Sequence, residues 1–287
     1  VNGVAAAVVS SALGGTAAAL TRYVIGASDP VTLAALRFGI GFLLIFPLAL
    51  ALRARWPRGR DWIGVALLGI AFFAFFFFLY NIAMGYTSAA RGSLALATLP
   101  LTTMLLAAFL GKESLSKRKF AGVLTAVSGV VIALWGGLAD APQGAWRGDL
   151  VMLGATVVMA LYSIWSRPFM ARSSMLGFLA AGMGFGALAS VALSFVTGGY
   201  LLIEKLDSQQ WLAILCLGVF GGAAAFYLWV YALERTTPTR VTNTMTVNPV
   251  SASLLAAVLV GEPLGLPLAL GIVAVGAGIW LASSTPR

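Results

Sequence analysis

Two prolines, Pro100 and Pro249, stand 149 residues apart in the middle of apolar stretches. A proline has no N–H, so inside a helix the carbonyl four residues earlier loses its donor. Those carbonyls belong here to Leu96 and Met245. Where water is absent, a released carbonyl needs a protein partner, a hydrated cavity or a solute. Polar side chains flank both prolines: Thr98 and Thr102 beside the first, Asn243, Thr246, Asn248 and Ser251 beside the second. Aromatic groups stand in other stretches. Phe73, Phe76, Phe77 and Tyr80 have the spacing of one helix face, and Tyr162, Trp165 and Trp229 follow. Hydrogen-bonding groups and π faces of this kind recognise a solute rather than break a bond. The chain has no histidine and a single cysteine, Cys216. Imidazole metal sites, histidine-based triads and an intrachain disulfide are therefore excluded. No catalytic residue, metal site or cofactor is expected. The plainer alternatives are packing kinks for the prolines and core packing for the aromatics.

The elements that position these residues follow from composition. Hydrophobic residues make up 60% of the 287, charged residues 9%, and the mean hydropathy is +0.97. A soluble domain carries roughly 25% charged residues. The apolar runs cover residues 3–21, 31–52, 62–85, 92–110, 120–136, 150–166, 175–197, 211–233, 241–260 and 266–282. Each is near the ~20 residues that a helix needs to cross a bilayer. The expected fold is an all-α integral membrane protein of ten spans, since continuous apolar runs exclude a membrane β-barrel.

The chain contains one unit twice. A shift of 149 residues carries Trp62 onto Trp211, Gly69 onto Gly218, Leu79 onto Leu228, Arg91 onto Arg240, Pro100 onto Pro249, Glu113 onto Glu262, Gly122 onto Gly271 and Gly129 onto Gly278. The units are placed at 1–137 and 148–287. Five spans per unit is an odd number, so the second must enter the membrane inverted, which is a transporter architecture. The basic residues agree. Thirteen of the eighteen Lys and Arg fall in the even-numbered loops and the two tails, four fall in the odd-numbered loops, and Arg37 lies inside span two. The positive-inside rule then puts both termini in the cytoplasm. The net charge of +9 is thus a topology signal, and no nucleic-acid partner is expected.

Span one, with Ser10, Ser11, Gly14, Gly15 and Thr16 among alanines, is suited to internal packing. Its alternative reading is a signal peptide. Asp29 is placed as the N-cap of span two. Arg37, two turns inside that span, either snorkels to the interface or holds a substrate carboxylate. The glycine pairs of spans five and ten predict close helix contact, and Glu113 and Glu262 are read as structural groups ahead of those spans. No Asp or Glu falls within the apolar runs, so coupling through an intramembrane acid is not expected.

At the repeated pattern of Pro100, Glu113 and the Gly122 to Gly129 span, the chain resembles the EamA-type branch of the drug/metabolite transporter superfamily. Gly85-Tyr86-Thr87-Ser88-Ala89-Ala90-Arg91 followed by Pro100 is similar to the YddG-type aromatic amino acid exporters, although an aromatic residue common before that proline is here Leu99. The resemblance implies a ten-helix carrier of the bacterial inner membrane, exporting aromatic or large apolar amino acids through a central cavity by alternating access. Phe76, Tyr80, Tyr162, Trp165 and Trp229 would hold the side chain. Thr98, Asn243, Thr246 and the released carbonyls would supply polar contacts, and Pro100 and Pro249 would be the hinges. The partners implied are a small-molecule substrate and the lipid bilayer, with a monomer as the expected state. An exporter of flat organic cations such as methyl viologen shares the fold, and an intramembrane enzyme or assembly subunit is the alternative outside transport.

Overall fold

The computed structural model describes residues 2–111, 117, 120–122, 124–125, 128–129, 132, 142–235, 241, 244–262 and 264–283. Among them there is no strand, and seven helical stretches are long and apolar enough to cross a membrane. These are Gly3–Val24, Pro30–Ala51, Asp61–Tyr86, Ala89–Leu106, Ala145–Arg172, Met175–Thr197 and Ser208–Arg235, with the shorter apolar helices Thr244–Leu259 and Leu266–Gly278 after them. Most of the fifth apolar run lies outside the described residues. With it, the chain makes ten spans in two inverted five-helix repeats, numbered here in chain order.

Local chemistry sets the ends of these helices. Asp29 caps span two, its carboxylate accepting from the backbone N–H groups of Val31 and Thr32 at 3.0 and 2.9 Å. Asp207 and Gln210 form a reciprocal capping box at the start of span eight. Both proline spans break where expected. Span four stops at Leu96 and restarts at Leu99, one residue before Pro100, and in span nine a tight turn over Thr244–Thr246 precedes Val247–Leu259. Two further breaks have no proline. Spans three and eight widen into π-helix over Ile70–Phe76 and Leu217–Ala224, stretches that overlap when shifted by 149 residues.

Packing pairs the repeats with their roles exchanged. Span one lies on spans eight and nine, and span six on spans three and four; span two lies on span eight, and span seven on span three. Glycines permit the closest approaches. A Cβ on Gly69 would sit 2.7 Å from the Cα of Gly182, and one on Gly222 would sit 2.9 Å from the Arg37 carbonyl. Span one is held inside as its composition predicts: Ser10 donates to the Ala225 carbonyl, Ser11 shares a hydrogen bond with Thr244, and Thr244 reaches the Ala7 carbonyl. Spans five and ten touch where a Cβ on Gly129 would lie 2.7 Å from that of Ala274.

The loops gather at two ends. At the basic end, Arg172 grips Asp61 with two 2.8 Å hydrogen bonds, and the Arg55 carbonyl accepts from the Ser174 backbone. At the far end, Arg22 donates to the carbonyls of Met84 and Gly85, and Glu262 accepts from the Ala89 and Ala90 N–H groups. Glu262 therefore caps span four of the opposite repeat rather than its own span ten; Glu113 lies outside the described residues. One expectation is corrected here. Span six begins at Ala145, ahead of its apolar run, and this places a carboxylate inside a span: Asp149 is 4% exposed and ion-paired with Arg91 at 2.5 Å. Apolarity marked only the part of the helix without a partner charge.

Candidate functional site

A cavity lies where the two repeats meet, and it is lined from spans one, two, three, four, six, eight and nine. Its lining residues sit near the middle of their helices: Ser10, Ser11 and Gly14 in span one, Phe76 and Phe77 in span three, Met159 in span six, Gly221 in span eight. Leu96 and Met245, whose carbonyls the two prolines release, line it together. A kink in each repeat thus turns toward the same space, at the depth where an inverted-repeat transporter places its substrate.

Five of the fifteen lining residues are aromatic. Phe76, Phe77 and Tyr80 face the cavity from span three, and Phe226 and Trp229 from span eight. Phe72 stacks on Tyr162 with ring centroids 4.2 Å apart, which ties span three to span six. A second, small hollow follows toward the basic end, lined by Tyr162, Ser163, Ser166 and Met170 of span six and by Val230 and Leu233 of span eight. The two share Met159, Phe226 and Trp229, so these three side chains form the partition between them.

The structure brings together part of the set expected from sequence. Phe76, Tyr80 and Trp229 line the central cavity, and Tyr162 lines its neighbour. Thr98 is buried, but its hydroxyl is spent on the Ala95 carbonyl at 2.6 Å and it is not part of the lining. Thr246 is half-buried and likewise outside the lining. Trp165 points away from the bundle and is 50% exposed. Asn243 lies outside the described residues.

The site set expected from sequence left out Phe226 and also Asn248, noted only as a polar neighbour of Pro249, and Arg37 stood between two readings. Arg37 does not snorkel: it is 4% exposed and lines the central cavity. Its Nη2 donates to the Gly221 carbonyl at 2.8 Å, and its guanidinium lies 4.6 Å from the centre of the Phe77 ring. Gly221 lies in the π-turn of span eight, whose altered hydrogen-bond register offers the carbonyl. Without a Cβ there, the guanidinium can approach. The helical face 226, 229, 230, 233 was the signal for Phe226, and the polar residue before Pro249 was the signal for Asn248.

The EamA-like transporter family matches residues 1–135 and 146–284, one match for each repeat. The chain belongs to this family. Similar members include a probable terminal-alkyne amino-acid exporter of Streptantibioticus cattleyicolor, 31% identical over 247 residues that cover 83% of this chain and 80% of the relative. The aromatic amino acid exporter YddG of Ancylobacter novellus is 29% identical over 225 residues, 73% of this chain and 72% of the relative. The uncharacterized transporter YyaM of Bacillus subtilis is 24% identical over 273 residues, 93% and 89% of the two chains. A solved crystal structure superposes with a TM-score of 0.69 at 25% identity, covering 97% of this chain and 96% of that one. Membership of the EamA-like family indicates a multi-pass membrane transporter of small molecules rather than an enzyme.

Proposed function

We propose that this EamA-like protein exports amino acids with aromatic or large apolar side chains, by alternating access through the central cavity. One observation carries this reading. The residues whose carbonyls are released by Pro100 and Pro249 meet in a single mid-depth cavity that five aromatic side chains also line. Apolar rings suit the side chain, and polar backbone suits the charged head.

The hinges in this reading are Pro100 and Pro249, and the moving units are the repeats 1–137 and 148–287. The basic end faces the cytoplasm of a bacterial inner membrane, with both termini on that side. The hollow lined by Tyr162 and Ser166 is then the approach from the cytoplasm, and Trp229 stands where the substrate passes into the centre. One chain is sufficient for transport. Flux needs no proton gradient, because Asp149 is engaged by Arg91 and Thr87 and is not part of the cavity lining.

The test is flux of tryptophan and phenylalanine in proteoliposomes, with and without a pH gradient and with methyl viologen as competitor. Flux that the pH gradient leaves unchanged, and that methyl viologen does not inhibit, is the expected outcome. Strong acceleration by the gradient would refute the uncoupled mechanism, and preferential movement of methyl viologen would favour an organic-cation exporter.

A further inference from the structure

Two polar groups in the central cavity have no partner among the described residues, and they are of opposite kinds. Nε and Nη1 of Arg37 are buried donors without an acceptor, and Oδ1 of Asn248, a residue 2% exposed, is a buried acceptor without a donor. Both residues line the same space. Leaving such groups unsatisfied carries a desolvation cost, most of all for a charge, so they are kept where something arrives to satisfy them. Arginine is also held where it is at some expense. A charged side chain at this depth is unfavourable to insert, and its hydrogen bond to the Gly221 carbonyl uses a single N–H of five. The Tyr80 hydroxyl also interacts with the guanidinium, yet Nε and Nη1 are left over.

The remaining N–H groups of a guanidinium form a planar fork, which matches the two oxygens of a carboxylate. An unpaired amide oxygen matches an ammonium group. We infer that the cavity recognises a zwitterion, with the substrate carboxylate on Arg37 and its ammonium on Asn248, and that the carboxylate is obligatory. This rests on the amino-acid export reading and makes it narrower. It assigns selection of the charged head to two named side chains and excludes amines of the same shape, which the Arg37 charge would repel and whose apolar groups would leave its donors unpaired.

The experiment uses purified full-length protein in proteoliposomes, with phenylalanine as the transported probe. The competitors are phenethylamine, which lacks the carboxylate, and 3-phenylpropionate, which lacks the ammonium. In the wild type, phenethylamine is expected not to compete and 3-phenylpropionate to compete measurably. Arg37→Met should raise the half-saturating concentration of phenylalanine about tenfold or more, the size expected for losing a charge-assisted pair. Arg37→Lys should fall between. Asn248→Leu should weaken phenylalanine while leaving competition by 3-phenylpropionate unchanged.

Equal competition by phenethylamine and phenylalanine in the wild type would overturn the assignment, as would unchanged half-saturation in Arg37→Met. The analogue series in the wild type decides the matter even where Arg37→Met does not fold. Should the wild type carry phenylalanine while Arg37→Met behaves identically, the export reading stands and the Arg37 assignment falls. A wild type that carries no amino acid would remove both.

Discussion

At the scale of the residue, type was legible in the sequence and direction was not. Trp165 and Trp229 look equivalent as deep tryptophans, yet one faces outward and the other separates the two hollows. Span six has no hydrophobic stripe to orient Trp165, whereas Trp229 falls on the face 226, 229, 230, 233 of span eight. Burial of Phe73, Phe76, Phe77 and Tyr80 on one face was legible, because their spacing defines a single stripe. Arg37 was ambiguous for another reason. Its fate depends on whether a carbonyl and an aromatic ring stand opposite, and these come from spans eight and three. Truncating the two tryptophans separates wall from surface. Trp229→Ala should raise the half-saturating concentration of phenylalanine by between about two- and tenfold, as for loss of one aromatic contact. Trp165→Ala should leave it unchanged, and parallel initial-rate measurements in proteoliposomes check both. Glycines provide a stability counterpart. A Cβ on Gly15 would press 2.9 Å from the Ala252 backbone nitrogen, and one on Gly39 would meet nothing within 4 Å. Gly15→Ala should cost roughly 1–3 kcal/mol by wedging span one from span nine. Gly39→Ala should hold or raise the thermal midpoint in detergent.

At the scale of the element, proline made two helix breaks readable and left two unreadable. Span four and span nine break beside Pro100 and Pro249 because a missing donor is written in the sequence. The π-turns over Ile70–Phe76 and Leu217–Ala224 are composed like any other apolar helix. They coincide with tertiary contacts, the close approach of Gly69 to Gly182 and of Gly222 to the Arg37 carbonyl, neither visible within one span. The sixth span shows the same limit at its end. Its helix reaches back to Ala145 because Arg91 and Thr87 neutralise and satisfy Asp149, a fact of another element. The proline breaks lead to a test of the hinge. Pro249 lies just after the restart of the helix, where proline is tolerated, so Pro249→Ala has little strain to relieve but lets the helix run through. It would return a donor to the Met245 carbonyl. The thermal midpoint should hold or rise while the rate of phenylalanine flux falls by about tenfold, which is about 1.4 kcal/mol on the barrier. Flux at the wild-type rate would show that the kink shapes the cavity without acting as a hinge.

At the scale of the whole molecule, duplication and inversion were legible because they need only counting, whereas the contacts that join the repeats were not. Those contacts divide between the ends. At the basic end, the Asp61 and Arg172 side chains meet in partly exposed surroundings, where an ion pair contributes little. At the far end the joints are buried. Thr87 and Arg91 of the first repeat hold Asp149 of the second, and Glu262 of the second caps span four of the first. Breaking one partner of a buried pair costs about 3–5 kcal/mol. A two-state equilibrium moved by about 3 kcal/mol changes more than a hundredfold. The far end is therefore the firmer closure, and Asp149→Asn should open it. Leu96 lines the cavity and Cys216 is the sole cysteine, so Leu96→Cys in a Cys216→Ala background gives a single reporter. Adding Asp149→Asn should accelerate labelling of that reporter by a membrane-impermeant maleimide applied from the far side. Asp61→Asn should leave the rate almost unchanged, since the joint that it loses is already wet. A labelling rate indifferent to Asp149→Asn would mean that the buried pair serves folding of span six alone, and that closure of the far end rests on the Glu262 cap.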